Sequence, residues 1–275
     1  MSQKLKTTAT PRILPKVLLD VLKVQLKNNW VREAVYRTNF ITAVGVDLVW
    51  IAIEFTLFGV IYANTPTIGG WTQDQVYFFL GVFFSSDALF TIFFQRNFWN
   101  FSDLVNRGEL DILLTKPVPP LFLALTRWIN LTAFSNFGLG LAILFKFAGP
   151  AGFEGGWHWF SVVFWLLVGV LSAALIRFTF SIWIFWTERG FTLSRLYYQF
   201  FSFATKPDTM YPKWIRYLIL SALPFAFIGS IPARALLEGL TLNESLLVAG
   251  VLTSFWILNA ALWRAGLRRY QSASS

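Results

Sequence analysis

Six long apolar blocks alternate with shorter polar stretches along the chain. Each block approaches or exceeds about 20 residues, the length that a helix needs to cross the hydrocarbon core of a bilayer. A helix also satisfies its own backbone hydrogen bonds where water is absent. The pattern therefore predicts six membrane-spanning helices, near residues 39–63, 75–95, 121–147, 159–186, 214–232 and 246–264.

The segment before the first block has an amphipathic pattern instead. From Pro15 to about Thr38, apolar and charged positions fall on opposite faces of a helix. The apolar face consists of Leu18, Leu19, Leu22, Leu26 and Trp30, and the charged face of Lys16, Asp20, Lys23 and Lys27. This pattern predicts a helix on the cytoplasmic membrane surface, with its lysines toward anionic lipid. A solvated helix packed on a partner protein is the alternative.

Three stretches between or beside the blocks are also helical in character. Residues 98–120 are polar and charged, and two short helical pieces there meet at Gly108 before a proline cluster. Residues 233–242 predict a helix on the outer side, which either dips into the bilayer as a re-entrant piece or lies flat on the surface. Residues 190–205, rich in phenylalanine and tyrosine, predict a second surface helix on the inner side. The fifth block contains Pro224, which predicts a kink.

The composition agrees with an integral membrane protein. The chain is 13% charged, whereas about 25% is usual for a soluble protein. Most of the 23 lysines and arginines lie in the N-terminal segment, the second and fourth connections and the C-terminal tail. Because short cytoplasmic loops carry an excess of basic residues, both termini are predicted in the cytoplasm. The basic residues do not cluster on a soluble face, so no nucleic-acid partner is expected.

Four charged residues fall inside predicted spans. Asp47 and Glu54 lie in the first span, Asp87 in the second and Arg177 in the fourth. A charged side chain that faces lipid costs at least about 2.5–3.5 kcal/mol, so these side chains are expected to face protein or water. Arg177 either pairs with Asp47 or Asp87 and locks helices together, or extends to the inner headgroups. Alternatively, some of the acids line a translocation path and attract a cationic amphiphile.

Several kinds of chemistry are not predicted for this chain. It contains no G-x-x-x-x-G-K-[ST] loop for nucleotide phosphates. It has no cysteine, and its single histidine, His158, lies at an outer edge between two tryptophans. No histidine and carboxylate pair has metal-ligand spacing. We therefore expect no catalytic residues, no metal site and no cofactor on this chain, and an intramembrane enzyme is disfavoured.

Residues 98–120 are predicted to form a stiff loop. Asn100 or Ser102 can cap a short helix, and Asp103 then lies in its first turn, where the helix dipole favours a negative charge. Arg107 suits the last turn, and Gly108 can take the left-handed conformation that ends a helix. The next piece begins and ends with residues that suit a helix start and a rigid exit: Glu109, Asp111, Pro117, Pro119 and Pro120. The loop is suited to transmit a push, although a capped cytoplasmic turn without a partner is the alternative.

The same loop carries a recognisable motif. Its residues 107–111, RGELD, followed by Leu113-Leu114 and Lys116-Pro117-Val118, resemble the signature of ABC-2 type permeases. The resemblance is to the six-span bacterial subfamily that was once labelled only as a domain of unknown function. Met210-Tyr211-Pro212 is similar to a Tyr-Pro element of that group. The resemblance extends over nearly the whole chain and implies a single membrane domain over 1–275, with cytoplasmic tails at 1–38 and 265–275 around a six-helix domain at 39–264.

What the resemblance implies is half of an exporter in the bacterial cytoplasmic membrane. A second permease subunit, either another copy or a related chain, would complete the pore. Two separate ATPase subunits would bind ATP and Mg and move a hydrophobic or amphiphilic substrate outward. The connection between spans two and three would be the coupling helix that fits a cleft in the ATPase. Its residues would be Asp103, Arg107, Gly108, Glu109, Leu110, Asp111, Lys116 and Pro117.

Two other functions are compatible with the residues alone. One is a secondary transporter or channel that is driven by an ion gradient through Asp47, Glu54 and Asp87. Such carriers often have repeated halves with discontinuous helices, and no convincing internal repeat is found here. The other is a membrane scaffold that does not transport and that recruits partners through its surface helices.

Overall fold

The described residues of this computed structural model are 15–33, 37–187 and 190–270. They form helices and no β-strand, apart from one isolated bridge between Ile68 and Trp71. The prediction of an all-α, multi-pass membrane protein is confirmed. The lysines and arginines of residues 1–14, and Arg189, lie outside the described residues.

The helices are numbered here in chain order. The first six are α1 Pro15–Glu33, α2 Arg37–Tyr62, α3 Gln73–Phe90, α4 Arg96–Asn106, α5 Glu109–Leu114 and α6 Pro120–Thr126. The other six are α7 Ala133–Ala148, α8 Trp159–Ile182, α9 Gly190–Phe201, α10 Lys213–Leu220, α11 Ser230–Leu237 and α12 Leu242–Arg269. A π-helical turn, Thr91–Gln95, joins α3 to α4 without a break.

Four helical stretches among the described residues are long and apolar enough to cross a membrane. They are Val44–Tyr62, Gln73–Asn106, Trp159–Phe185 and Leu242–Arg269. The second is 34 residues long because α3, the π turn and α4 are continuous, so the predicted span 75–95 extends well beyond its predicted end. The third predicted span is instead two helices, α6 and the shorter apolar α7.

The helices define two ends of the bundle. We call the end that holds residues 63–72 the Gly69 end, and the end that holds residues 107–119 the Gly108 end. Neighbouring helices run antiparallel: the ring of Tyr77 in α3 stacks on Phe55 in α2 with centroids 4.5 Å apart. A break between α6 and α7 packs beside the π turn, because the N–H of Asn130 donates to the carbonyl of Ile92. At the start of α4, the Asn97 side chain donates to the carbonyl of Trp128 and accepts from its N–H. Asn97 thus satisfies backbone groups that the break leaves free.

The centre of the fold is α3, which packs against α7 at two glycines. A Cβ on Gly81 would lie 2.5 Å from the backbone nitrogen of Leu144, and one on Gly140 would lie 2.7 Å from that of Ser85. Small residues let two helix backbones approach closely where lipid supplies no hydrophobic driving force. The contact between α3 and α7 therefore depends on the missing side chains.

Gly81→Ala is expected to destabilise the protein by about 1–3 kcal/mol, because the new methyl group meets backbone that cannot rotate away. Gly138→Ala is the matched control, since a Cβ at Gly138 in α7 would have no neighbour within 4 Å. The midpoint of thermal unfolding in mild detergent measures both changes. Equal midpoints for the two variants would contradict the close packing of α3 on α7.

The fifth crossing of the bundle is not where the hydrophobic pattern places it. Residues 190–205 were predicted to lie on the inner surface, yet they begin near α4 and lead toward the Gly69 end. The ring of Tyr198 lies 6.1 Å from that of Trp99 in α4, and a Cβ on Gly69 would lie 2.9 Å from the carbonyl oxygen of Thr209. The fifth crossing is therefore α9 and the turns that follow it, up to Met210. Tyr197, Ala204 and Thr205 of this crossing are buried, whereas Arg195, Gln199 and Lys206 are exposed.

The predicted fifth span, 214–232, is instead a hairpin that enters and leaves at the Gly69 end. It starts with α10, turns after Pro224 and returns as α11. Its tip reaches the interior, because a Cβ on Gly169 in the middle of α8 would lie 2.7 Å from the carbonyl oxygen of Ile228. Arg234 of α11 is back at the Gly69 end, 3.0 Å from Glu244 at the start of α12. The proline and the short helices explain why this apolar stretch does not span.

The outer helix predicted at 233–242 corresponds to α11, which runs from Ser230 to Leu237. Its residues Ile231, Pro232, Ala233 and Leu236 are buried. Such burial agrees with a re-entrant piece inside the bundle and disagrees with a helix that lies flat on the surface. The remaining predicted residues belong to a turn and to the start of α12.

Candidate coupling loop and central cavity

The connection between the second and third crossings has the two helical pieces that were expected, joined at Gly108. Asn106 ends α4, and Gly108 adopts a left-handed conformation with φ of 72° before α5 begins. The N–H of Arg107 donates to the carbonyl of Asp103 at 2.9 Å, which closes the last turn of α4. Glu109 and Asp111 lie in the first turn of α5, where the helix dipole favours acidic side chains.

The predicted start of the first piece is wrong. Asn100 and Ser102 do not cap a helix, because both lie inside α4, which continues from α3. Asp103 is therefore in the last turn of α4 rather than in a first turn. The helix continues because its apolar side packs on α8: the ring of Phe101 lies 6.1 Å from that of Phe178. Tertiary packing overrides the local capping preference here.

The loop is anchored on one side and exposed on the other. Leu110 is fully buried, and Leu113 and Val118 are nearly so. Ile112 is 60% exposed and Leu114 42% exposed. The charged residues Asp103, Arg107 and Lys116 and the neighbouring Pro117 are also exposed. The connection from Arg107 to Pro119 thus presents an apolar and charged knob on a buried base, and we call it the coupling loop.

Other parts of the chain support the coupling loop at the Gly108 end. Glu109 forms an exposed ion pair of 3.1 Å with Arg127, which precedes α7. The side chain of Asn29 in α1 donates to the carbonyl oxygen of Arg127. At the end of α12, burial and then the Asp111 carboxylate raise the pKa of Tyr270, so its phenol stays protonated at neutral pH. The helix α1 and the end of α12 therefore contact the surroundings of the loop.

The predicted N-terminal helix is present as α1, but its faces differ from the pattern. Leu18 packs toward the core and Asn29 is buried, whereas Leu19, Leu26 and Trp30 are exposed. A tertiary hydrogen bond explains why a polar residue occupies the buried side. The exposed apolar side chains lie next to Lys16, Lys23 and Lys27 on the helix surface. This arrangement suits a membrane interface.

A cavity of about 640 Å³ lies between α2, α3, α7 and the fifth crossing. The structure brings the three acids of the predicted spans, Asp47, Glu54 and Asp87, into its lining. Lys206 and Tyr211, which follow α9, line the same space. The three acids therefore lie at a cavity inside the bundle. Their role stays a prediction.

Two of the three carboxylates of the cavity, those of Asp47 and Glu54, have different surroundings. Asp47 accepts a hydrogen bond of 2.6 Å from the side-chain amide of Asn136 in α7. Glu54 is 7% exposed, and its Oε2 atom has no hydrogen-bond partner among the described residues. A buried polar atom without a partner is costly and calls for an explanation by structure or by function.

Arg177 lies away from this lining. It is 1% exposed, and its guanidinium carbon lies 4.6 Å from the ring centre of Tyr197 and 5.2 Å from that of Tyr198. Its charge is therefore held by two aromatic faces of α9. The alternative of an ion pair with Asp47 or Asp87 stays a prediction. Arg177 joins α8 to α9.

Sequence reasoning missed several polar groups of the cavity and of the Gly69 end. Lys206 was predicted in an inner connection, because residues 190–205 were predicted to form a surface helix, and Asp208 was not singled out. Asp208 is in fact fully buried and lies 2.7 Å from Arg216 and 3.8 Å from Arg234. In the sequence, Asp208 follows a lysine by two residues and precedes a short apolar stretch, and this pattern does not indicate a buried ion pair.

Together, these features define a class: a helical multi-pass membrane protein with a cavity among its spans that is lined by acidic and aromatic residues, and with a compact loop at one end. The chain belongs to the ABC-2 family of transporter proteins, whose family model matches residues 48–274. The resemblance seen at the coupling loop is thus confirmed over most of the chain. Neither a curated protein nor a solved structure matches the chain significantly. Family membership makes the protein a permease subunit of an ABC transporter.

Proposed function

We propose that this permease belongs to an exporter in the bacterial cytoplasmic membrane and works with a separate ATPase. The substrate is a hydrophobic or amphiphilic compound that moves out of the cytoplasm as the ATPase hydrolyses ATP. A second permease subunit, a copy or a related chain, completes the pathway. The observation that carries the proposal is the coupling loop, whose exposed knob stands on a buried base. Family membership favours this function over transport driven by an ion gradient.

The continuous helix Gln73–Asn106 offers a path from the coupling loop to the cavity. Its last residues lead directly into the loop, and Asp87 in its middle lines the cavity. A rigid element with contacts at both sites is the physical means by which one can bias the other. In this proposal, closure of the ATPase dimer pushes the loop, and the helix shifts the wall of the cavity.

The proposed orientation has the Gly108 end in the cytoplasm. Because residues 190–210 cross the bundle, Lys206, Lys213 and Arg216 lie at the Gly69 end and not at the end that was predicted to be cytoplasmic. The excess of basic residues at the Gly108 end is therefore smaller than the sequence suggested. The Gly108 end still holds more basic residues: Lys16, Lys23, Lys27, Arg96, Arg107, Lys116, Arg127, Arg264, Arg268 and Arg269. An excess of lysine and arginine marks the cytoplasmic side. Both termini are then cytoplasmic.

Single cysteines test the orientation and the docking together, because the natural chain has none. Ile112→Cys places a thiol on the coupling loop, and Thr67→Cys places one at an exposed site of the Gly69 end. In intact cells, a membrane-impermeant maleimide is expected to label Thr67→Cys and to leave Ile112→Cys unlabelled. In permeabilised cells both should react, and the bound ATPase should slow labelling of Ile112→Cys severalfold.

Thr67→Cys serves as the control for docking, since the ATPase should not change its labelling rate. Labelling of Ile112→Cys from outside intact cells would refute the orientation. Identical rates at Ile112→Cys with and without the co-expressed ATPase would show that the coupling loop is not the docking surface.

A further inference from the structure

Glu54 is placed as a ligand-binding carboxylate would be. It lies on α2 and lines the central cavity, yet its residue is more than nine-tenths buried. Among the described residues, nothing donates a hydrogen bond to its Oε2 atom. Burying an acceptor without a partner costs free energy, and a bound group that neutralises it would recover that cost.

The charges around the cavity favour a positively charged ligand. Its lining contains three carboxylates, Asp47, Glu54 and Asp87, and a single ammonium group, Lys206. The Asn136 amide already occupies one oxygen of Asp47. A cation that enters this space therefore meets more carboxyl groups than ammonium groups, and opposite charges attract.

The walls of the cavity favour a ligand that is also apolar. Aromatic rings face the space from α2, α3, α9 and the following turns: Trp50, Phe83, Phe84, Phe201, Phe203 and Tyr211. Aromatic faces attract organic cations as well as apolar groups. A volume of about 640 Å³ lies within the range of sites that hold drug-sized molecules, roughly 300–1,000 Å³.

We propose that this cavity binds a hydrophobic organic cation, such as an aromatic or alkyl ammonium or phosphonium compound, with Glu54 as the principal counter-ion. Asp87 and Asp47 add to the negative potential, and the aromatic walls enclose the apolar part. Only the direction in which the ligand would be transported rests on the proposed exporter function. Binding itself needs neither ATP nor the ATPase.

The test is equilibrium binding of tetraphenylphosphonium to the purified full-length protein in detergent. Saturable binding is expected, and triphenylphosphine oxide, which is neutral, should compete poorly. Glu54→Gln removes the charge at nearly constant volume and should weaken binding tenfold or more. Glu54→Asp keeps the charge and should retain a larger share of the affinity than Glu54→Gln.

Glu154→Gln is the matched control, because Glu154 is an exposed acid in the connection after α7. It should bind the cation as the natural protein does. Size-exclusion profiles and thermal unfolding establish that each variant is folded. Absence of saturable binding, equal competition by the neutral compound, or unchanged affinity in folded Glu54→Gln would each overturn the proposal.

The result separates this site from the exporter function. If the cation binds in a way that depends on Glu54, but no ATPase docks on the protein, the binding site is supported and the exporter function is refuted. ATPase docking at Ile112→Cys without cation binding would do the reverse.

Discussion

Gly108→Val is expected to lower at least tenfold the amount of ATPase that co-purifies with the permease, while the membrane domain stays folded. Gly108 has φ of 72° and joins α4 directly to α5. A left-handed conformation costs a residue with a Cβ about 1–2 kcal/mol, and a branched side chain costs more. The valine would relieve this strain by shifting α5, whose six residues carry the exposed Ile112.

The measurement is recovery of the co-expressed ATPase with tagged permease in mild detergent, together with the ATP hydrolysis of the complex. Gly152→Val is a matched control, because Gly152 also has positive φ, at 88°, and a Cβ there would meet nothing within 4 Å. It imposes similar backbone strain in the connection after α7 at the Gly69 end. Full ATPase recovery with Gly108→Val, or equal loss in both variants, would contradict the assignment of the coupling loop.

The helical character of the fold and the turn at Gly108 could be predicted because their causes are local. Long apolar runs and a glycine between two amphipathic pieces have the same consequence wherever they occur. The capping prediction at Asn100 and Ser102 failed for a tertiary reason. The packing of Phe101 on α8 extends a helix that local preference would have restarted.

The fifth crossing was misplaced because hydropathy measures how well a segment suits lipid. It does not register how a segment packs against the other helices. Residues 190–210 include arginine, glutamine and lysine and look too polar to span. They cross the bundle with Tyr197 and Phe201 packed into its core and with Lys206 lining a cavity. Residues 214–232 look apolar enough to span, and instead form a re-entrant hairpin whose tip is buried by α3 and α8.

The candidate cavity could be anticipated only as a set of residues that must avoid lipid. Asp47 and Asn136 meet across 89 positions of sequence, and this pairing depends on how α2 and α7 pack. The sequence could not predict Lys206 as a cavity residue, because its position depends on the path of the fifth crossing. Charge in an apolar block therefore indicates where a site exists, but the fold decides which charges share it.

Asp208→Ala is expected to destabilise the protein by about 2–4 kcal/mol, because it removes the counter-ion of two arginines. Asp208 is fully buried, and its carboxylate lies 2.7 Å from Arg216 in α10 and 3.8 Å from Arg234 in α11. Ser230 donates to the same carboxylate and accepts from the Asp208 N–H. The upper part of the usual range for a broken buried pair is not expected, since the Arg216 side chain is 38% exposed and solvent screens it.

The midpoint of thermal unfolding measures this loss, and Glu154→Ala, which removes an exposed acid near the same end, should leave it unchanged. Asp208→Asn should lie between the two, because the amide can still accept from Ser230 but carries no charge. Equal midpoints for Asp208→Ala and Glu154→Ala would show that the cluster contributes nothing. The expected loss has a topological cause, because Asp208 lies at the end of the fifth crossing. It pairs with Arg216 near the start of the re-entrant hairpin and with Arg234 near its end. Arg234 also forms an ion pair with Glu244 of α12. One carboxylate therefore holds the hairpin in the Gly69 end, and without it α10 and α11 lose their common attachment to the bundle.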